Sequence, residues 1–148
     1  MIYNIKPYEG VGELKFGMTR SEIEKIIGEK PLQIKKTPFS KTKTDVFQNY
    51  GMHIYYNLME QCEAIEFGTP ATITFNEEEL LNQTYKMVEQ KIKKIDSELA
   101  YDETGFISYK LGIGVFVPTL KKSKNEKVQG IIVFEKGYYD KLTFSDKF

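Results

Sequence analysis

The chain holds one histidine and one cysteine, so any side-chain chemistry must be built around His53, Cys62 and the acids and phenols near them. Suppose the segment at 52–57 folds back on 62–67 with Asn57 opposite Cys62. Then His53 faces Glu66, and Tyr55, two residues along, faces Ala64. A carboxylate beside an imidazole orients its proton, and a nearby phenol completes a partial acid–base constellation. An ordinary polar cross-strand pair is the plainer account of the same residues. In that register Cys62 lies four rows from His53 on the same face, too far for a thiolate–imidazole pair, and reads as a small half-buried thiol. A zinc site needs several convergent His or Cys ligands, which this composition lacks. The run Glu77-Glu78-Glu79 is better explained as negative charge at a helix start. Gly10, Gly12 and Gly17 do not match the spacing of a nucleotide-binding loop, and no serine-nucleophile motif is present. The expectation is a protein that is not an enzyme and carries no cofactor.

The elements that must position these residues come in two similar sets. Leu14, Phe16 and Met18 alternate with polar or small residues, the period of a half-buried strand. Thr19 with Glu22 three residues later is a capping box. Ile23, Ile26 and Ile27 form one helical stripe, Gly28 stops it, and Pro31 prevents its continuation. Residues 35–44 are rich in Lys, Thr, Ser and Pro and read as a loop. Strands then follow near Val46–Asn49, at Met52–Asn57 and at Cys62–Phe67, the last two joined through Leu58-Met59-Glu60-Gln61. In the second set Ala71, Ile73 and Phe75 alternate likewise. Asn76 and Glu79 repeat the spacing of Thr19 and Glu22, which predicts a second helix start. Leu81, Tyr85, Val88, Ile92, Ile95 and Leu99 give that helix an apolar stripe. Strands are expected at 105–110, 112–118 and 128–135, and Tyr138–Phe144 reads as an added edge strand. The pattern predicts one domain over 1–148, built of two repeats at about 11–68 and 69–144.

Side-chain alternation assigns the faces. Met52 with Phe67, Ile54 with Ile65, Ile113 with Val133 and Val115 with Ile131 make an apolar face for the helices. The other face receives Tyr55, His53, Glu66, Phe116 opposite Gly130, and Ile132 opposite Gly114. Large side chains facing Gly or Ala on an open sheet leave exposed rings, which often mark protein-binding surfaces. Glu60 in the hairpin loop joins Tyr55, Phe116, His53, Glu66 and Ile132 as candidate partner-binding residues.

Lys plus Arg and Asp plus Glu number 21 each. A nucleic-acid binder normally carries a basic excess, so no nucleic-acid partner is expected, and the lysines at 35–43 and 121–127 read as solvated loop charge. No stretch approaches the about 20 apolar residues of a membrane span. The N-terminus has no signal-peptide pattern, and one cysteine makes no internal disulfide. These point to the cytoplasm. An unblocked edge strand leaves a homo-oligomer open.

The run from Gly12 through Glu13, Leu14, Lys15, Phe16, Gly17, Met18, Thr19, Arg20, Ser21, Glu22 and Ile23 to Gly28 resembles the repeat opening of beta-lactamase-inhibitor-protein-like domains and of SmpA/OmlA-type lipoproteins. The strands Gly51–Asn57 and Cys62–Phe67 also resemble those of small bacterial immunity proteins. The resemblance implies an α+β fold: a tandem divergent repeat with helices packed on one face of an antiparallel β-sheet, whose other face and loops grip an enzyme. The chain departs from the secreted inhibitors in lacking cysteine pairs and a lipobox, and from the family in having a Lys-rich loop where a second helix would stand. The function expected is protein binding, by an immunity or inhibitor protein acting on a toxin or enzyme. The alternative is a small-ligand-binding protein or enzyme using His53, Glu66 and Tyr55.

Overall fold

A capping box, two hairpins and a glycine stop set the local structure of the computed structural model, which describes residues 2–141. Thr19 caps α1 (Arg20–Ile27): its hydroxyl accepts from the Glu22 amide, and the Glu22 carboxylate accepts from the Thr19 amide at 3.1 Å. Gly28 ends the helix in the left-handed conformation, at φ 82°, which costs glycine nothing. Ile23 and Ile27 are its buried stripe.

Before α1 lie β1 (Ile2–Lys6), β2 (Gly10–Val11) and β3 (Leu14–Lys15). After it come β4 (Leu32–Ile34), β5 (Thr44–Phe47), β6 (Met52–Tyr56) and β7 (Cys62–Phe67). A second run follows: β8 (Thr72–Phe75), β9 (Glu78–Glu79), α2 (Tyr85–Lys93), β10 (Ala100–Asp102), β11 (Gly105–Ser108), β12 (Ile113–Phe116), β13 (Gly130–Phe134) and α3 (Tyr138–Lys141). The fold is α+β. Eight antiparallel strands form one sheet in the order β10-β11-β12-β13-β7-β6-β5-β4, and a mixed five-stranded sheet runs β3-β2-β1-β8-β9. The smaller sheet contains a parallel pair, β1 with β8, which alternation along either segment alone did not reveal.

Over Met52–Tyr55 and Ile113–Phe116 the hairpin registers agree with the alternation. Met52 pairs with Phe67, His53 with Glu66, Ile54 with Ile65 and Tyr55 with Ala64. In the second hairpin Ile113 pairs with Val133, Gly114 with Ile132, Val115 with Ile131 and Phe116 with Gly130. The inward members join Ile23, Ile27, Val88 and Ile92 in one core, to which the smaller sheet adds Tyr3, Ile5, Val11, Leu14 and Ile73.

Several expectations are corrected. The first hairpin bulges after Tyr55, so Tyr56, not Asn57, stands opposite Cys62. Cys62 is therefore turned to the core side and fully buried, not on the His53 face; an extra residue in one strand reverses every side chain beyond it. The second helix is capped by Thr84, whose hydroxyl accepts from the Met87 amide. Asn76 and Glu77 instead take left-handed backbone, at φ 49° and 68°, and turn the chain from β8 into β9, where Glu79 pairs with Thr74. Leu81 precedes α2, and Ile95 and Leu99 follow it. The first helix is followed directly by β4, at residues left outside the expected strands. Finally, residues 138–141 of the expected edge strand are helical, and 142–144 lie outside the described residues. α3 packs on the sheet face opposite α1 and α2, with Tyr138 buried against Ala64 and Phe134, so not every helix shares one face.

Candidate functional site

Paired residues of neighbouring antiparallel strands point to the same face. The pairings therefore lay a continuous row across the outer face: Ala100, Ile107, Gly114, Ile132, Glu66, His53, Val46 and Leu32. The two glycines expected to make room do so. A Cβ on Gly114 would sit 2.6 Å from the Ile132 side chain, and one on Gly130 would lie 3.3 Å from Phe116. Ile132 is half-buried, and Phe116 is 46% exposed on its glycine neighbour.

Next to them lies the polar centre. The Tyr55 hydroxyl donates to Glu66 Oε1 at 2.9 Å, and His53 Nδ1 stands 3.9 Å from the same oxygen. The side chains of His53 and Glu66 are 43% and 44% exposed, so this is a half-solvated surface cluster. It brings together three of the expected site residues. Tyr55 departs from the expected exposed ring. Lys36 Nζ lies 4.7 Å from its ring centroid, and the ring packs with Ala64, Phe134 and the α3 tyrosines. Burial and the adjacent Glu66 carboxylate raise the Tyr55 pKa well above the ordinary phenol range. Tyr139 is pushed up to about 12, by burial first and then by Tyr109 and Glu66.

α3 thus covers one end of the face expected to be open. Tyr139 meets Phe134 edge-on at a centroid distance of 5.0 Å and Tyr109 at 6.0 Å. Tyr8 reaches the same cluster, donating its hydroxyl to the Tyr109 carbonyl. The surface left uncovered comprises Phe116 and, half-exposed, Ile132, Glu66 and His53.

Glu60 belongs to a different constellation. It lies in the exposed β6–β7 turn with Leu58 and Met59, and its carboxylate is 3.5 Å from Arg20 Nε. Arg20 also pairs with Asp45 Oδ1, donates to the Lys43 carbonyl at 2.8 Å, and stacks on Tyr56 with its guanidinium carbon 4.1 Å from the ring centroid. Asp45 is fully buried. Its second oxygen accepts from Tyr56 Oη at 2.8 Å, and its first also accepts from Gln33 at 3.2 Å. Sequence reasoning missed this network, although a signal was there. Arg20 opens a helix, where the dipole disfavours a cation, and Asp45 directly precedes the apolar pair Val46-Phe47 of β5. Asp96 and Ser108 make a second buried polar pair, Ser108 Oγ donating to Asp96 at 2.7 Å. Burial works to raise the Asp96 pKa, but the bonds from Ser108 and the Glu98 amide outweigh it and hold the carboxyl below its ordinary value.

Along α2, a groove of about 730 Å³ is lined by Met87, Gln90, Lys91, Ile95 and neighbouring residues, with the Lys91–Glu78 ion pair at 3.2 Å in its wall. It contains none of the expected site residues. Among the described residues no three His, Cys, Asp or Glu side chains gather as metal ligands would, and no helix is long and apolar enough to cross a membrane. No protein-family model, no curated protein and no solved structure gives a match to this chain.

Two outcomes are expected. Arg20→Leu strips the buried Asp45 of its cation and should cost about 3–5 kcal/mol in urea unfolding; adding Asp45→Asn should recover much of it. A loss under about 1 kcal/mol would mean that the pair does not hold α1 to β5. The raised phenols also set an alkaline limit. Their folded pKa values exceed the unfolded value of about 10, so their contribution is intact below that pH and is lost as pH rises toward the folded values. Ultraviolet titration should show a tyrosine class that ionises only as the fold is lost; smooth titration of all tyrosines at the ordinary pH would contradict their burial.

Proposed function

We propose that this chain is a non-enzymatic protein-binding module, an immunity or inhibitor protein that grips a toxin or enzyme across the outer face of the eight-stranded sheet. The observation that carries the reading is Phe116, a ring 46% exposed at the end of the internal strand β12, lying over Gly130 next to the strip of Ile132, Glu66 and His53. An exposed aromatic flanked by polar groups is the usual chemistry of a binding anchor. Leu58 and Met59, exposed on the β6–β7 turn beside Glu60, add loop contacts of the same character.

An internal duplication is part of this reading. A helix followed by a four-strand meander occurs twice, as α1-β4-β5-β6-β7 and α2-β10-β11-β12-β13. Each helix is capped by a threonine that bridges to the residue or segment before the last strand of its own set, Thr19 to Gln61 and Thr84 to Lys127. The amides tied on either side also correspond: Cys62 donates to Met18, and Val128 donates to Gln83. The reading places the protein in the cytoplasm, in keeping with its single buried thiol.

A second reading, a small-ligand or catalytic site at His53, Glu66 and Tyr55, is favoured by the 2.9 Å Tyr55–Glu66 bond. An NMR titration of His53 separates the two: a catalytic pocket should displace its pKa strongly from about 6.5, and an unshifted ring argues for a surface pair.

For the first reading, the chain is used as bait in its native cells and the captured protein is assayed for toxicity or hydrolysis with and without it. Phe116→Ala and Ile132→Ala should each weaken the complex by about 1–2 kcal/mol. Affinity unchanged by both substitutions would remove the outer face from the interface.

A further inference from the structure

We infer that β4 and the segment after it form a docking edge that accepts an acidic, extended strand of a protein partner. The inference builds on the protein-binding reading and names the chemistry of the partner's contact. Among the described residues β4 ends the eight-stranded sheet and pairs only with β5. All three of its residues are exposed. Among those residues its outer side has no neighbouring strand, the arrangement to which an added strand can bond. Leu32 and Ile34 point to the outer face, in the rows of His53 and Tyr55 respectively, so a strand added here would extend the surface that holds Phe116 and Ile132.

Charge selects the occupant. Residues 30–43 contain five lysines, Lys30, Lys35, Lys36, Lys41 and Lys43, and no acid, in a chain whose formal net charge is zero. All five are exposed. Between them stands Phe39, 74% exposed. Edge lysines ordinarily keep strand edges apart. Here they repel a second β4 from another copy and attract an acidic strand. The opposite edge of the sheet, β10, contains Asp102 and is flanked by Glu98 and Glu103, so β10 of another copy is the competing occupant. Glu103, however, is already paired with Lys121 at 3.3 Å.

The test uses the full chain and three labelled probes: a peptide alternating Glu and Val, one alternating Lys and Val, and an acidic peptide of equal charge interrupted by prolines. Binding is read by fluorescence anisotropy and located by amide shifts in NMR. The Glu/Val peptide should bind and move the amides of residues 32–36. The proline-interrupted and lysine peptides should bind at least about tenfold more weakly, since one cannot pair and the other is repelled. Lys35→Glu with Lys36→Glu should cost the same factor, whereas the equal charge change Lys121→Glu with Lys122→Glu should not. Equal binding of the two acidic peptides, shifts confined elsewhere, or self-association of the free chain that Asp102→Lys with Glu103→Lys abolishes would each overturn the inference. If the peptide fails while partner affinity still responds to Phe116→Ala, the edge is wrong and the face stands. The reverse pattern leaves the edge and removes the face.

Discussion

The pairing of β7 with β13 is the contact on which the arrangement depends. Four residue pairs, from Ile131 with Phe67 to Phe134 with Ala64, join two four-stranded meanders into one antiparallel sheet. Without it each meander would end in an open, largely apolar strand at what is now the centre of the sheet. With it, Ile65, Phe67, Ile131 and Val133 close a single core beneath α1 and α2. The same pairing acts on the other face. It sets Ile132 beside Glu66 and Phe134 beside Ala64, and so builds from the two meanders a surface that neither has alone.

That outer face is divided by what lies over it. At one end α3 and its tyrosines close on Phe134 and Ala64, which are buried as deeply as core residues. Across the middle, Gly114 and Gly130 lower the floor so that Ile132 and Phe116 stand on it without a clash. Glycine weakens a strand interior, and here the cost is matched by a surface with room for large side chains. The proposed interface is the part that α3 leaves uncovered, with the lysine-flanked β4 continuing it to the sheet edge.

Buried charge ties the periphery to this frame. Asp45 lies in a strand next to the sheet edge, fully buried, with its oxygens engaged by Arg20, Tyr56 and Gln33. Such a network stabilises only the arrangement that satisfies all its members. It links the start of α1, β4, β5, β6 and, through Glu60, the β6–β7 turn. The chain's zero formal charge therefore conceals local structure: one buried pair inside, and lysines collected along one exposed edge.

Much of this was legible in the residues themselves, wherever the deciding interactions are short-range. The Thr19 capping box, the Gly28 stop and the registers of both hairpins follow from spacing and alternation over a few residues. So do the positions of His53, Glu66, Phe116 and Ile132 on one face. Tertiary structure decided the rest. Thr84 and Asn76 are both acceptable helix caps, and the choice was made by the β8–β9 turn, which takes Asn76 into left-handed backbone. Cys62 changed face because a bulge after Tyr55 inserted one residue, a shift that alternation cannot register. Tyr138 and Tyr139 have strand-forming side chains but form a helix that buries its rings on Phe134. The parallel partnership of β1 with β8, the β7–β13 seam and the Arg20–Asp45 pair join segments far apart in the chain, and no local pattern carries them. The sequence by itself determined the strands of the two long hairpins and which way most of their side chains point, since those preferences are properties of neighbouring residues. Only the folded chain decided which strands meet and what covers the outer face, because those outcomes rest on contacts between surfaces that exist only once the elements have formed.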